Sequence, residues 1–87
     1  MNIVWQADAW NEYVAWQSED KKTIKRINQL LTDISRNGYN CIGKPEPLKG
    51  NFQGWWSVRI DDFNRLIFRY SSDCIEIISC KGHYNQK

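Results

Sequence analysis

Glu46, Arg59, Arg65 and His83 place a carboxylate, two guanidiniums and the chain's one imidazole in the second half of an 87-residue sequence. That combination matches what side chains alone need to cleave RNA. A base takes the 2′-hydroxyl proton, cations stabilise the pentavalent phosphorane, and an acid protonates the departing 5′-oxygen. Glu46 is the candidate base, Arg65 and Arg59 the phosphate clamp, and His83 the acid, with Tyr84 beside it as a stacking or proton-handling partner. Spacing by itself does not bring these residues together. Taken singly, Glu46 reads first as a solvated loop carboxylate and His83 as an uncommitted surface residue near the C-terminus, and the arginines read equally as a solvated sheet face.

Other chemistries find less support. There is no G-x-S-x-G elbow, P-loop, H-E-x-x-H or dinucleotide fingerprint. One histidine cannot anchor a multi-histidine metal centre. Asp61-Asp62 reads as a turn before it reads as a magnesium site. Cys41, Cys74 and Cys80 form no C-x-x-C pair, and Cys80 falls in an apolar run that reads as core and not as a nucleophile. No metal and no cofactor is expected.

Charge points weakly the same way. The formal net charge is +2, with five basic and five acidic side chains in residues 1–42 and seven and five in residues 43–87. The excess therefore lies wholly in the second half, as a polyanion site there requires. Three cysteines cannot all pair within one chain, which fits a reducing compartment. With no signal-type N-terminus and no apolar run long enough to span a bilayer, the sequence is expected to be soluble and cytoplasmic, with no membrane partner.

Positioning the candidate residues requires one domain over residues 1–87. Ile3 to Trp5 reads as a short strand. Trp10, Tyr13, Val14 and Gln17 step at helical spacing in a helix beginning near Asp8. Ile24, Ile27, Leu31 and Ile34 recur at three and four in a second helix, which Asn37-Gly38 stops. Lys21, Lys22, Lys25 and Arg26 lie largely on its other faces. Pro45, Pro47 and several glycines predict a stiff, polar loop from Gly38 to Gly54. Strand signals follow from Trp55 to Ile60, Arg65 to Tyr70 and Cys74 to Cys80. The fold class is α+β in the order β-α-α-β-β-β, with the N-terminal strand and two helices packed on one face of a twisted antiparallel sheet. Alternation puts Leu66, Phe68, Tyr70, Val58 and Ile60 on the helix side, so that Arg59, Arg65 and Arg69 share the other. Strand parity sends His83 to the side of Ile75 and Ile77 unless Gly82 breaks it. Of the tryptophans, Trp5, Trp10 and Trp16 read as core or helix packing, and Trp55-Trp56 as one ring in and one out.

The segments GKPEPLKGNFQGWWSVRI, NRLIFRY and CKGHY, together with the opening Trp5 strand and the KKTIKRINQLL helix, resemble the YoeB branch of the RelE superfamily of ribosome-dependent mRNA interferases over nearly the whole chain. The resemblance implies that Glu46 is the general base, that Arg65 stabilises the phosphate and that His83 is the general acid. It implies that Lys49 and Arg59 assist at the phosphate and that Tyr84 lies in the site. Cleavage is then expected in the ribosomal A site, leaving a 2′,3′-cyclic phosphate. The implied partners are mRNA and the ribosome with its rRNA, a YefM/Phd-like acidic antitoxin, operator DNA reached only through the antitoxin complex, and a second copy in a homodimer. Gly82, Val58 and the extension Asn85-Gln86-Lys87 depart from the commonest pattern and put the seating of His83 in question. The competing reading is a catalytically silent basic module that only binds an antitoxin or RNA.

Overall fold

A computed structural model describes residues 1–83. The chain runs β1 (Asn2–Trp5), α1 (Ala7–Glu19), α2 (Lys21–Asn37), a one-turn helix at Gly38–Asn40, β2 (Glu46–Pro47), a second single turn at Gly50–Phe52, then β3 (Trp56–Arg59), β4 (Arg65–Ser71) and β5 (Cys74–Ser79). The sheet order is β1-β5-β4-β3-β2. This is the α+β arrangement expected, with one correction: the sheet is mixed. The three-strand meander is antiparallel, but β1 lies parallel to β5. The chain between these two strands runs through both helices and then β2, β3 and β4, so the parallel pair joins the first and last strands, which a reading of neighbouring strands does not reveal. A short extra strand, β2, also pairs antiparallel with β3 inside what reads as a polar loop.

Local chemistry accounts for the helix boundaries. The Asp20 carboxylate accepts from Lys22 N at 3.0 Å and Thr23 Oγ1 at 2.9 Å, which caps α2. Gly38 at its end adopts φ 58° and donates its N–H to the Ile34 carbonyl. Ile27, Leu30, Leu31 and Ile34 bury one stripe of α2 against Val58, Leu66, Phe68, Ile75 and Ile77 of the sheet. In α1 the buried positions are Ala9 and Trp16. Trp10 is 48% exposed, stacked outside the core against Tyr13 and edge-on to Trp5. Trp10 and Val14, which step at helical spacing, therefore lie outside the buried stripe. Rings cluster where they find other rings, and helical periodicity does not say which stripe faces inward. No helix among the described residues is long and apolar enough to cross a membrane.

Gly43 fixes how the loop after α2 approaches β3. Its carbonyl accepts from Arg59 N at 2.7 Å. It has φ 91°, and a Cβ there would meet Leu30 Cδ2 at 2.9 Å and Val58 Cβ at 3.1 Å. Gly43→Ala is expected to cost about 1–3 kcal/mol through strain and overpacking. A lowered urea midpoint at unchanged slope is the readout, and an unchanged midpoint contradicts the close approach.

Candidate active site

Register decides which candidate side chains meet. In the β3–β4 ladder Arg59 lies opposite Arg65 and Ser57 opposite Ile67, while in β2–β3 Glu46 lies opposite Ser57. Directly opposed residues share a face, so Glu46, Arg59 and Arg65 all point away from the helices. Glu46 and Arg59 are exposed and Arg65 is half-buried. Among the described residues no side-chain partner is found for Glu46, Lys49 or the Arg59 guanidinium. Two like charges directly opposite in a sheet repel, and an anion between them relieves that cost.

Arg69 was expected to join this pair. It lies on the same side but is committed elsewhere. Its Nη2 donates to Glu76 Oε1 at 2.6 Å, and its guanidinium sits 4.5 Å from the centre of the Trp55 ring. The face is not uniformly open either, because Ile67 is fully buried on it and Leu48 nearly so. Leu48 anchors the end of β2 through its N–H to the Trp55 carbonyl at 2.8 Å. Just before β2, Lys44 holds a left-handed φ of 55° and leads into Pro45, a strained entry to the segment carrying Glu46. Lys49 is exposed on the turn after β2, and no contact joins it to the arginine pair.

His83 reaches this end of the sheet by a break in strand parity. The break is a bulge in β5: Phe68 pairs with Ile77 but Ile67 with Ser79, so Ile78 is an extra residue. The core side passes from Ile75 and Ile77 to Cys80, and Gly82, at φ 93°, then bends the chain just before His83. The histidine is exposed, its ring 6.0 Å from that of Phe63. Helix α1 holds the approach to it. Glu12 accepts from Cys80 N at 2.8 Å and Ser79 Oγ at 3.1 Å, and Trp16 Nε1 donates to the Cys80 carbonyl at 2.9 Å. Lys81 pairs with Glu19 at 3.1 Å and lies over the Trp16 ring. None of these anchors is visible in sequence spacing, since they join residues more than 60 positions apart. Tyr84 and the extension 85–87 lie outside the described residues. Cys80 is fully buried, and desolvation, with the Glu12 carboxylate adding to it, pushes its thiol up to about 12. It is therefore a core side chain and no nucleophile at neutral pH.

The β3–β4 turn fixes Arg65. Asp61 Oδ1 accepts from Phe63 N at 2.9 Å and Asn64 N at 2.6 Å, and its Oδ2 accepts from Asn64 Nδ2 at 3.0 Å. Arg65 Nη1 then donates to the carbonyls of Asp61 at 2.8 Å and Asn64 at 3.1 Å, leaving the rest of its fork for an anion. Desolvation pushes the Asp61 carboxyl up, but bonds from Asn64 and Phe63 and the nearby Arg65 charge outweigh it, so the carboxyl lies below its ordinary 3.8. A carboxyl depressed in the folded state adds stability that is fully present above the unfolded value and is lost as pH falls through the folded one. Asp61→Asn, which cannot ionise, is therefore expected to flatten the loss of stability below about pH 4. Urea midpoints measured from neutral pH down to about pH 3 check this. A decline as steep as that of the unaltered protein contradicts it.

In strand order, β2, β3, β4 and the segment after β5 each carry one group: Glu46, Arg59, Arg65 and His83. The carboxylate and the imidazole lie at opposite ends, with the two guanidiniums between.

Comparison with known proteins gives a consistent set. The model of the YoeB-like toxin of bacterial type II toxin-antitoxin systems matches residues 5–84. A toxin YoeB of Streptomyces coelicolor is 44% identical over 84 residues, covering 97% of this chain and 100% of that protein. The structure of a YoeB/ParE toxin from Agrobacterium tumefaciens superposes with a TM-score of 0.91 at 38% identity, covering 97% of this chain and 100% of that one. YoeB of Staphylococcus aureus, solved as a dimer, superposes with a TM-score of 0.90 at 45% identity over 97% of this chain and 98% of that one. The same toxin, solved as a heterotetrameric YoeB-YefM toxin-antitoxin complex, gives 0.89 at the same identity and coverage.

Proposed function

Because the chain belongs to the YoeB-like toxins of bacterial type II toxin-antitoxin systems, we propose that it is a ribosome-dependent endoribonuclease that cuts mRNA in the ribosomal A site and so stops translation. One observation carries the reading. In strand order Glu46 on β2 and His83 just past β5 lie on either side of a pair of facing arginines, Arg59 on β3 and Arg65 on β4. In-line attack on a phosphodiester needs a base on the nucleophile's side, an acid on the leaving group's side and cations at the phosphoryl oxygens between them.

In this mechanism Glu46 takes the proton from the 2′-hydroxyl as its oxygen attacks phosphorus. Arg65 and Arg59 bear the added charge of the phosphorane. His83, protonated, gives its proton to the departing 5′-oxygen. The products are a 2′,3′-cyclic phosphate and a 5′-hydroxyl, with no water consumed and every proton handled by a side chain. Lys49 and Tyr84 add contacts to the RNA in this reading. A YefM-like antitoxin of acidic character is the proposed protein partner, through which operator DNA is reached, and a homodimer is the proposed free form. The YoeB-YefM complex and the YoeB dimer of the Staphylococcus aureus relative support both.

Primer extension on a message translated in a purified system, with and without ribosomes, tests the proposal. Cleavage at A-site codons only when ribosomes are present is expected. A folded protein that binds ribosomes yet leaves the message intact overturns it in favour of a silent binding module.

A further inference from the structure

Gly82, at φ 93°, bends the chain just before His83 but cannot hold it, because a residue free to take positive φ is free to leave it. Something else must fix the chain there. Two hydrogen bonds do so, both from the start of β4. Arg65 N donates to the Gly82 carbonyl at 3.0 Å, and Gly82 N donates to Asn64 Oδ1 at 2.8 Å. The Asn64 amide is itself oriented by its other end, where Nδ2 donates to Asp61 Oδ2 at 3.0 Å. The Asp61 carboxylate is in turn pinned by the amides of Phe63 and Asn64, and Phe63 supplies the ring beside His83.

We propose that Asn64 is a positioning residue for His83: its side chain clamps the Gly82 amide and thereby sets where the imidazole presents its proton. This rests on the reading of His83 as the general acid. The same turn holds the Arg65 guanidinium through the Asp61 and Asn64 carbonyls. One local structure therefore aligns the acid with the phosphate clamp. The backbone half of the clamp comes from Arg65 N and is indifferent to the side chain at position 64, whereas the side-chain half needs an acceptor facing Gly82 and a donor facing Asp61 on one planar group. An amide meets both demands. A misplacement of about 1 Å at a reacting group is enough to cost about 10²-fold in rate.

Single-turnover cleavage on programmed ribosomes is the test. Asn64→Ala is expected to lower the rate at saturating ribosomes about 10- to 100-fold with little change in half-saturation. The pair Asp61→Asn with Asn64→Asp reverses the donor and acceptor between the two side chains, still offers an oxygen to Gly82 N, and is expected to recover most of that rate. In a His83→Gln background Asn64→Ala should cost almost nothing more, because a clamp that acts through the imidazole has nothing left to align. A full further loss in that background, or no rescue by the reversed pair, overturns the proposal. Amide exchange of Gly82 separates the clamp from the chemistry. Faster exchange in Asn64→Ala beside a wild-type protein that does not cut overturns the endoribonuclease reading alone, and unchanged exchange overturns the clamp whatever the cleavage result.

Discussion

Replacing His83 with glutamine is expected to slow cleavage of a translated message by about 10²- to 10⁴-fold, the usual contribution of a positioned acid or base. Glutamine keeps much of the size and can still hydrogen-bond, but has no proton to give a leaving alkoxide near neutral pH. Glu46→Gln is expected to lose a similar factor for the complementary reason, since an amide cannot accept the 2′-hydroxyl proton. Both side chains are exposed, so neither change should unfold the protein or weaken antitoxin binding greatly. That separates chemistry from folding. Circular dichroism and antitoxin binding serve as controls beside single-turnover rates on ribosomes. Wild-type rates from both variants would remove Glu46 and His83 from the mechanism and leave only the binding reading.

Arg65→Ala is expected to reduce the rate about 10²- to 10³-fold, comparable with removing one preorganised donor from a developing anion. Arg65→Lys should recover only part of this, because an ammonium restores charge but not the planar fork. Arg59→Ala should weaken RNA binding and lower its salt dependence by about one phosphate contact. Without RNA the sign reverses at Arg59. Relieving repulsion with the facing Arg65 should raise stability at low salt by roughly 0.2–1 kcal/mol. A clamp that costs stability when empty and accelerates cleavage when filled is distinguishable from arginines that merely keep a face soluble. Rates for Arg65→Ala equal to those of the unaltered protein contradict the clamp.

Much of this arrangement was legible in one dimension. The stripe Ile27, Leu31 and Ile34 repeats with the helical period, and the meander strands alternate with period two. These patterns depend only on neighbours a few residues apart. The same local alternation put Arg59 and Arg65 on the side away from the helices. Four features were not local. The parallel seat of β1 on β5 brings together the first and last strands of the chain, with both helices and three strands between them. The inward stripe of α1 is Ala9 and Trp16 and not Trp10 and Val14, because the choice among apolar stripes is made by what packs against them. Arg69 is withdrawn from the basic face by Glu76 and Trp55, partners that register alone brings near. His83 leaves the parity of Ile75 and Ile77 at the bulge that follows Ile77, and its path is set by Asn64 on one side and by Glu12 and Trp16 on the other. Local sequence thus determined which elements form and which side chains share a strand face, since backbone periodicity is a short-range property. Only the tertiary structure decided which of those side chains stand opposite one another, because register, bulges and long-range hydrogen bonds are settled when separate segments compete for the same partners.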